Sequence, residues 1–297
     1  MRRLYPTLFL LLVSTAAFAQ RDFSGVEIKA TKVSGSVYML TGAGGNIGVS
    51  AGEDGLVVID DQYAPLAPKI EAALKAIEDK PVRFVINTHY HGDHTGGNET
   101  FGGKSIPIVA HENVRKRLAA GSTSPDNPRP PAPAAALPVV TFNDTLTIHL
   151  NGEDVKAVHM PHGHTDGDAV IWFTKSNVVH MGDDFFNGTF PFVDTANGGS
   201  VRGLIANLDK VLSTVPNDAK IIPGHGALSD KDGLRKFADT LKATRAVVEK
   251  GVKAGKTADQ LKSEKVLAEW DSWGQGFIKT DMWIDTLAAE ARRLEKK

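Results

Sequence analysis

The sequence predicts an α/β domain in which sheets are flanked by helices, and three observations carry that expectation. Segments of alternating apolar and polar residues, broken by glycine-bearing turns, occupy the chain from residue 26 to residue 61 and return beyond residue 138. Stretches with apolar residues at helical spacing separate these strand-rich blocks and close the chain. An apolar run, "VRFVIN", leads straight into a histidine-rich loop, and α/β folds place their sites at such carboxyl ends of strands.

The elements follow in order. "MRRLYPTLFLLLVSTAAFAQ" opens with Arg2 and Arg3, continues through the apolar Leu8 to Val13, and ends in Ala17-Phe18-Ala19, the signature of a secretory signal peptide cleaved before Gln20. Its apolar run is far short of the ~20 residues that span a bilayer. Cleavage is therefore expected rather than a stable membrane anchor, and the mature protein is expected to be periplasmic or secreted. Residues 20–297 then read as one domain with a helical C-terminal part. "VEIKATKVSGSVYMLTG" and "NIGVSAGEDGLVVIDD" have the pattern of antiparallel hairpins, turning at residues such as Asp54-Gly55. Pro65 to Lys80 carries Leu66, Ile70, Leu74 and Ile77 on one helical face and is ended by Pro81. "VRFVIN" is a buried strand. Gly121 to Pro138, rich in proline and alanine, reads as a long surface loop because strand patterns resume after it in "TLTIHL", "VKAVHM", "AVIWF" and "VVHM". Gly199 to Thr214 is a helix and "KIIPGHG" a short strand and loop. From Gly233 onward the chain is helical, with Trp270, Trp273, Trp283 and Ile284 as packing anchors. Two blocks of strands followed by helix thus repeat an architecture without repeating a sequence.

With 297 residues, 41% of them hydrophobic, the chain can bury a sizeable core. A formal net charge of −1 supplies no basic field to gather nucleic acid, and removal of residues 1–19 takes away two arginines and no acid. A small-molecule substrate is the expected partner. The absence of cysteine removes disulfides, which a domain of this size does not need, and removes thiolate from the possible metal ligands. Imidazole and carboxylate remain, and they suit zinc, iron or manganese better than copper(I) or an iron–sulfur cluster.

"HYHGDH" places His89, His91, Asp93 and His94 within six residues. His89 and His91 can reach one ion from an extended loop, while Asp93 and His94, one turn later, point elsewhere. Gly92 is expected to allow the tight bend between them. Six residues can start two adjacent metal sites but complete neither. The missing ligands should lie on other strand ends, and three follow apolar runs: His164 in "PHGHTDGD", Asp183 in "HMGDDFF" and His225 in "IIPGHG". One ion would take His89, His91 and His164, and the other Asp93, His94 and His225, with Asp183 as a bridging carboxylate. His111, His149, His159, His162 and His180 read as surface or core histidines. Asp168 and Thr165 either orient a ligand or cap a turn.

The ordered set, H-x-H-x-D-H, a His in a GHT context, an Asp in a GD context and a His in a GHG context, resembles the metallo-β-lactamase fold superfamily over roughly residues 30 to 230. The resemblance implies a four-layer αββα sandwich with mixed sheets and two Zn2+ ions at one edge. It selects His164 over His162 and Asp183 over Asp184. It further implies a zinc-dependent metallo-hydrolase in which a metal-bridging hydroxide attacks the carbonyl of a lactam, lactone or ester, with Asp93 orienting the nucleophile and moving its proton. Many β-lactamases of this fold carry a cysteine where Asp183 stands, and a lysine shortly after it. "DDFFNGTFPF" has neither, and is more similar to the lactonases and thioesterases of the fold. Phe185, Phe186, Phe190 and Phe192 line an apolar pocket or fill the core. Two readings stand beside the hydrolase: an iron-dependent oxidoreductase of the same fold and a non-catalytic metal-binding protein.

Overall fold

The computed structural model describes residues 22–123 and 128–295; the predicted signal peptide lies outside the described residues. β1 (Lys29–Ser34), β2 (Val37–Thr41), β3 (Ile47–Gly52) and β4 (Gly55–Ile59) form antiparallel pairs, as the alternation predicts. α1 (Ala67–Ile77) then crosses to β5 (Val82–Ile86), which lies parallel to β4. The short helices α2 (Gly92–Thr95) and α3 (Asn98–Gly102) precede β6 (Ile108–His111), α4 (Glu112–Ala120) and β7 (Val140–Phe142). These seven strands make one sheet in chain order. β8 (Thr145–Leu150), β9 (Glu153–His159), β10 (Ala169–Phe173), β11 (Val178–His180), β12 (Lys220–Ile222) and β13 (Ser229–Asp230) make the second sheet, with α5 (Val201–Thr214) linking the parallel pair β11 and β12. α6 (Lys231–Lys253), α7 (Ala258–Ser263) and α8 (Thr280–Glu295) close the chain.

Burial sorts these elements into four layers. Val57, Ile59, Ile86 and Val109 of the first sheet meet Val155, Ile171, Phe173 and Ile222 of the second in one cluster, the core between the sheets. The alternate residues of the first sheet, Ile47, Val49, Val58 and Val85, pack on Ile70 and Leu74 of α1 and on Phe101 of α3. Val170, Val179 and Ile221 of the second sheet pack on Leu204, Leu208, Phe237, Leu241 and Trp283 from α5, α6 and α8. The order helix, sheet, sheet, helix is the predicted αββα sandwich. Trp273, Trp283 and Ile284 are buried anchors as expected, and Trp270 packs half-buried against the same cluster. Among the described residues no helix is long and apolar enough to cross a membrane.

Differences from the sequence expectation are local. The helix expected over Pro65 to Lys80 starts as a 3-10 turn, Ala64–Leu66, and ends at Ile77, because Glu78 is already extended. The helix expected from Gly199 begins at Val201, where the Ser200 hydroxyl accepts the Gly203 N–H. The loop after Gly121 contains a 3-10 turn, Ala134–Ala136, whose last carbonyl accepts from the buried Asn98 amide at 3.0 Å.

His111 performs two tasks at the end of β6. Its Nε2–H donates to the Asn143 carbonyl at 3.1 Å, and its Nδ1 accepts the Asn113 N–H at 3.2 Å, capping α4. Burial, together with the His159 ring stacked 3.8 Å away, lowers its pKa to about 4. A histidine depressed in the folded state contributes stability above about pH 6.5, and that contribution is lost as pH falls through the window from 6.5 to 4. His111→Asn, which keeps a capping oxygen and does not titrate, is therefore expected to lose less stability than the parent between pH 7 and 5. The gap in unfolding free energy should change by at most about 1.4 kcal/mol per pH unit. Parallel denaturant titrations read it, and identical pH slopes would refute it.

Candidate metal centre

The seven predicted ligands meet at one edge of the sandwich. His89, His91, Asp93 and His94 follow the carboxyl end of β5. His164 lies in the β9–β10 connection, Asp183 follows β11, and His225 follows β12. The two edges are stitched together: the Asn46 N–H donates to the Gly224 carbonyl at 2.7 Å, and the Asn46 amide reaches the carbonyls of Pro223 and Gly226, each at 2.9 Å.

His89, His91, His164 and Asp183 form one group able to hold a cation, and Asp93, His94 and His225 a second. In the first, His91 Nδ1 lies 3.1 Å from His89 Nε2 and 2.8 Å from His164 Nε2. In the second, His225 Nε2 lies 3.4 Å from His94 Nε2 and 3.3 Å from Asp93 Oδ2. Asp183 spans both. Its Oδ2 is 3.4 Å from His164 Nε2 and 3.8 Å from His89 Nε2, while its Oδ1 is 3.1 Å from His94 Nε2 and 3.4 Å from His225 Nε2.

The opposite ring nitrogens explain why these atoms face one another. His164 Nδ1–H donates to the Phe192 carbonyl at 2.8 Å, and His91 Nε2–H to Asp194 at 3.1 Å. His94 Nδ1–H donates to Asp60 Oδ2 at 2.7 Å. His89 Nδ1–H is 3.1 Å from Thr88 Oγ1, whose own proton goes to Asp60 Oδ2 at 2.7 Å. Each partner fixes a tautomer that turns a lone pair inward. In the first group the inward nitrogens of His91, His89 and His164, about 3 Å apart, repel when unprotonated, and in the second the carboxylates of Asp93 and Asp183 crowd His94 and His225. Cations placed between these atoms remove both costs, so the donor set fits two metal ions.

Electrostatics divides the groups. Burial lowers His89 well below its ordinary value and His164 to about 4, which keeps these rings neutral as ligands must be. Burial also pulls on His94 and His225, but Asp183 and Asp93 outweigh it and hold His94 well above the ordinary value and His225 at about 9. Asp93 lies near 2, because His94 and the His225 hydrogen bond overcome its burial. The second group thus stores protons that a metal must displace.

Glycine matters here, though not at Gly92, which is exposed, has an ordinary φ and would admit a Cβ without contact. The turn comes instead from His91, extended at φ −66° and ψ 148°, at the start of α2. Gly45 and Gly224 are the tight positions: a Cβ would fall 2.1 Å from the His94 ring and 2.1 Å from Asp183 Oδ1.

The competing residues stand apart. His162 is exposed and hydrogen-bonds the Gly198 carbonyl, and His149 is exposed beside Asp154. His180 is buried between the Asn46 carbonyl and the Gly182 N–H. Asp184 accepts from His164 N–H and the Asn207 amide, and Asp168 accepts from both the N–H and hydroxyl of Thr165, so this pair shapes the turn that carries His164. Burial raises Asp168 to about 6 and Asp184 well above its usual range. Of the four phenylalanines, Phe185 and Phe190 are core, while Phe186 stacks on His225 at 5.0 Å and Phe192 lies 5.8 Å from His91.

Sequence reasoning missed the two acids that hold the ligands, Asp60 and Asp194. Asp60 is wholly buried at φ 63° and also accepts the Thr88 N–H at 2.7 Å; Asp194 takes Tyr90 Oη–H at 2.5 Å as well as His91. The only sequence signal for Asp60 was an acid pair closing an apolar strand.

Comparison with known proteins agrees with this geometry. The chain is 24% identical over 235 residues to a metallo-β-lactamase type 2 of Bacteroides fragilis, covering 74% of this chain and 89% of that one. It is 28% identical over 152 residues to a hydroxyacylglutathione hydrolase of Nitrosococcus oceani, spanning half of each chain. In fold it matches a metallo-β-lactamase from Pontibacter korlensis with a TM-score of 0.61 at 19% identity, over 73% of this chain and 99% of that one. The model of the metallo-β-lactamase superfamily matches residues 40–225, which contain all seven candidate ligands, and the chain belongs to that superfamily.

Proposed function

We propose that the protein is an exported, binuclear zinc-dependent hydrolase of small carbonyl compounds, a lactam, lactone, ester or thioester. The observation that carries this reading is the convergence of five imidazoles and two carboxylates in two adjoining groups with Asp183 between them. Two bound divalent ions supply a nucleophile from water near neutral pH and polarise the carbonyl under attack.

The chain's own residues supply the rest. Asp93 stays ionised and keeps one-fifth of its side chain open beside His225, so it can orient water and hand its proton on rather than hold it. Asp194, Phe192, Thr88 and Asp60 keep the imidazoles from turning. Phe186 and Phe192 shield one side of the site from bulk water. No side-chain serine or cysteine nucleophile is needed. The thioester reading draws on the hydroxyacylglutathione hydrolase relative, and the lactam reading on the β-lactamase relatives.

The test is turnover of a chromogenic cephalosporin, a γ-lactone and a thioester by zinc-loaded protein, beside His89→Ala prepared identically. At least one substrate should turn over and fall by more than about 100-fold in the variant, since loss of a ligand's mere hydrogen-bond partner already costs ~10–100-fold. Metal analysis should return two zinc ions per chain. Isolation with iron, and no hydrolysis after zinc loading, would overturn the reading in favour of oxidoreductase chemistry.

A further inference from the structure

The metal centre has an apolar rim that extends beyond its ligands. Phe192 sits 5.8 Å from the His91 ring and 5.9 Å from the His164 ring, and remains 38% exposed. Phe277, in the segment between α7 and α8, faces it edge-on at 6.4 Å and is 81% exposed. A single exposed phenylalanine needs no explanation. Two in contact, continuous with metal ligands, form a surface whose wetting is costly.

The position of Phe277 is built. The Phe190 N–H donates to the Trp273 carbonyl at 2.9 Å, and the Phe190 ring stacks on buried Trp283 at 5.5 Å. Gly276 approaches Thr189 so closely that a Cβ would lie 2.9 Å from its methyl group, and Ile278 is buried beside it. The segment from 273 to 278 is thereby fixed to the loop that carries Phe192. On this rim a hydrocarbon finds two ring faces, Phe192 and Phe277.

We propose that Phe192 and Phe277 form a shelf that binds an uncharged hydrocarbon part of the substrate, an alkyl chain or aryl group, beside the scissile carbonyl. This rests on the hydrolase reading for the word substrate, but its test does not. Phe192 lies inside residues 40–225 and Phe277 outside them, so the C-terminal segment of this chain completes the shelf beyond the part matched to the superfamily.

Acetohydroxamate and octanohydroxamate differ by six methylenes and share a head group that chelates zinc. Calorimetry on zinc-loaded protein is expected to find the longer probe bound about 60-fold more tightly, at about twofold per methylene lying on a one-sided surface. Phe277→Ala should narrow that ratio about fivefold, and Phe277→Leu should restore most of it. Equal affinity for both probes, or a ratio unchanged in Phe277→Ala, would overturn the shelf. So would a concentration-dependent dimer that dissociates in Phe277→Ala, because a second copy of the chain would then be its occupant. The same proteins assayed with p-nitrophenyl acetate and octanoate separate the two proposals. Chain-length-dependent binding without hydrolysis of these esters or of the cephalosporin, lactone and thioester keeps the shelf and sinks the hydrolase, whereas hydrolysis with a binding ratio unchanged in Phe277→Ala does the reverse.

Discussion

Asp183→Ala is expected to lose tightly held metal and to lower hydrolysis by more than about 1000-fold, a larger effect than removal of a ligand's supporting partner. The reason is its reach. Asp183 Oδ2 faces His89 and His164 of one group, and Oδ1 faces His94 and His225 of the other. Without it, His89 and His164 lose the carboxylate that faces them both, and His94 and His225 are left with Asp93 alone. Asp183→Asn keeps the shape and removes the charge, so it separates packing from electrostatics. Elemental analysis after dialysis against a weak chelator gives the metal content. A second readout uses the metal-free protein: the His225 titration, held at about 9 chiefly by Asp183, should move down in either variant. An unmoved His225 and retained metal would remove Asp183 from the site.

Asp60→Ala is expected to lower stability by about 3–5 kcal/mol and to weaken metal binding by ~10–100-fold. The substitution leaves the Thr88 N–H, the Thr88 hydroxyl and His94 Nδ1–H buried without their acceptor, and buried unsatisfied groups cost ~1–3 kcal/mol each. Alanine at φ 63° is also strained, and aspartate tolerates that region better. Asp60→Asn retains one acceptor oxygen and the backbone preference, so it should fall between parent and alanine. Denaturant titration reads the first effect and chelator competition the second. Normal metal affinity in a destabilised Asp60→Ala would assign Asp60 to folding alone.

The ligands were legible in the sequence because metal chemistry restricts them to imidazole and carboxylate, and because each follows an apolar strand that ends at the same edge. The alternation of β1 to β4 and of β8 to β11 was legible for the same reason that it folds: one face of each strand enters the core between the sheets. α4 was not, since "ENVRKRLAA" buries only Val114 and shows no apolar stripe. Asp60 and Asp194 were hidden because a lone acid at a strand end or in a loop is ordinary until its neighbours are known. Phe277 was hidden more deeply: its partner Phe192 is 85 positions earlier, and nothing local distinguishes an exposed phenylalanine from a buried one.

Each metal-binding group draws on both sheets. The loop after β5 gives His89 and His91 to one group and Asp93 and His94 to the other, while the second sheet completes them with His164 and Asp183 and with His225. Ions held there tie the two layers across their seam, as a covalent cross-link would, in a chain that has no cysteine to make one. Metal affinity then becomes cohesion between the halves, growing with the logarithm of free metal above its dissociation constant. Withholding metal from such a centre would therefore loosen the fold's clasp as well as empty the site.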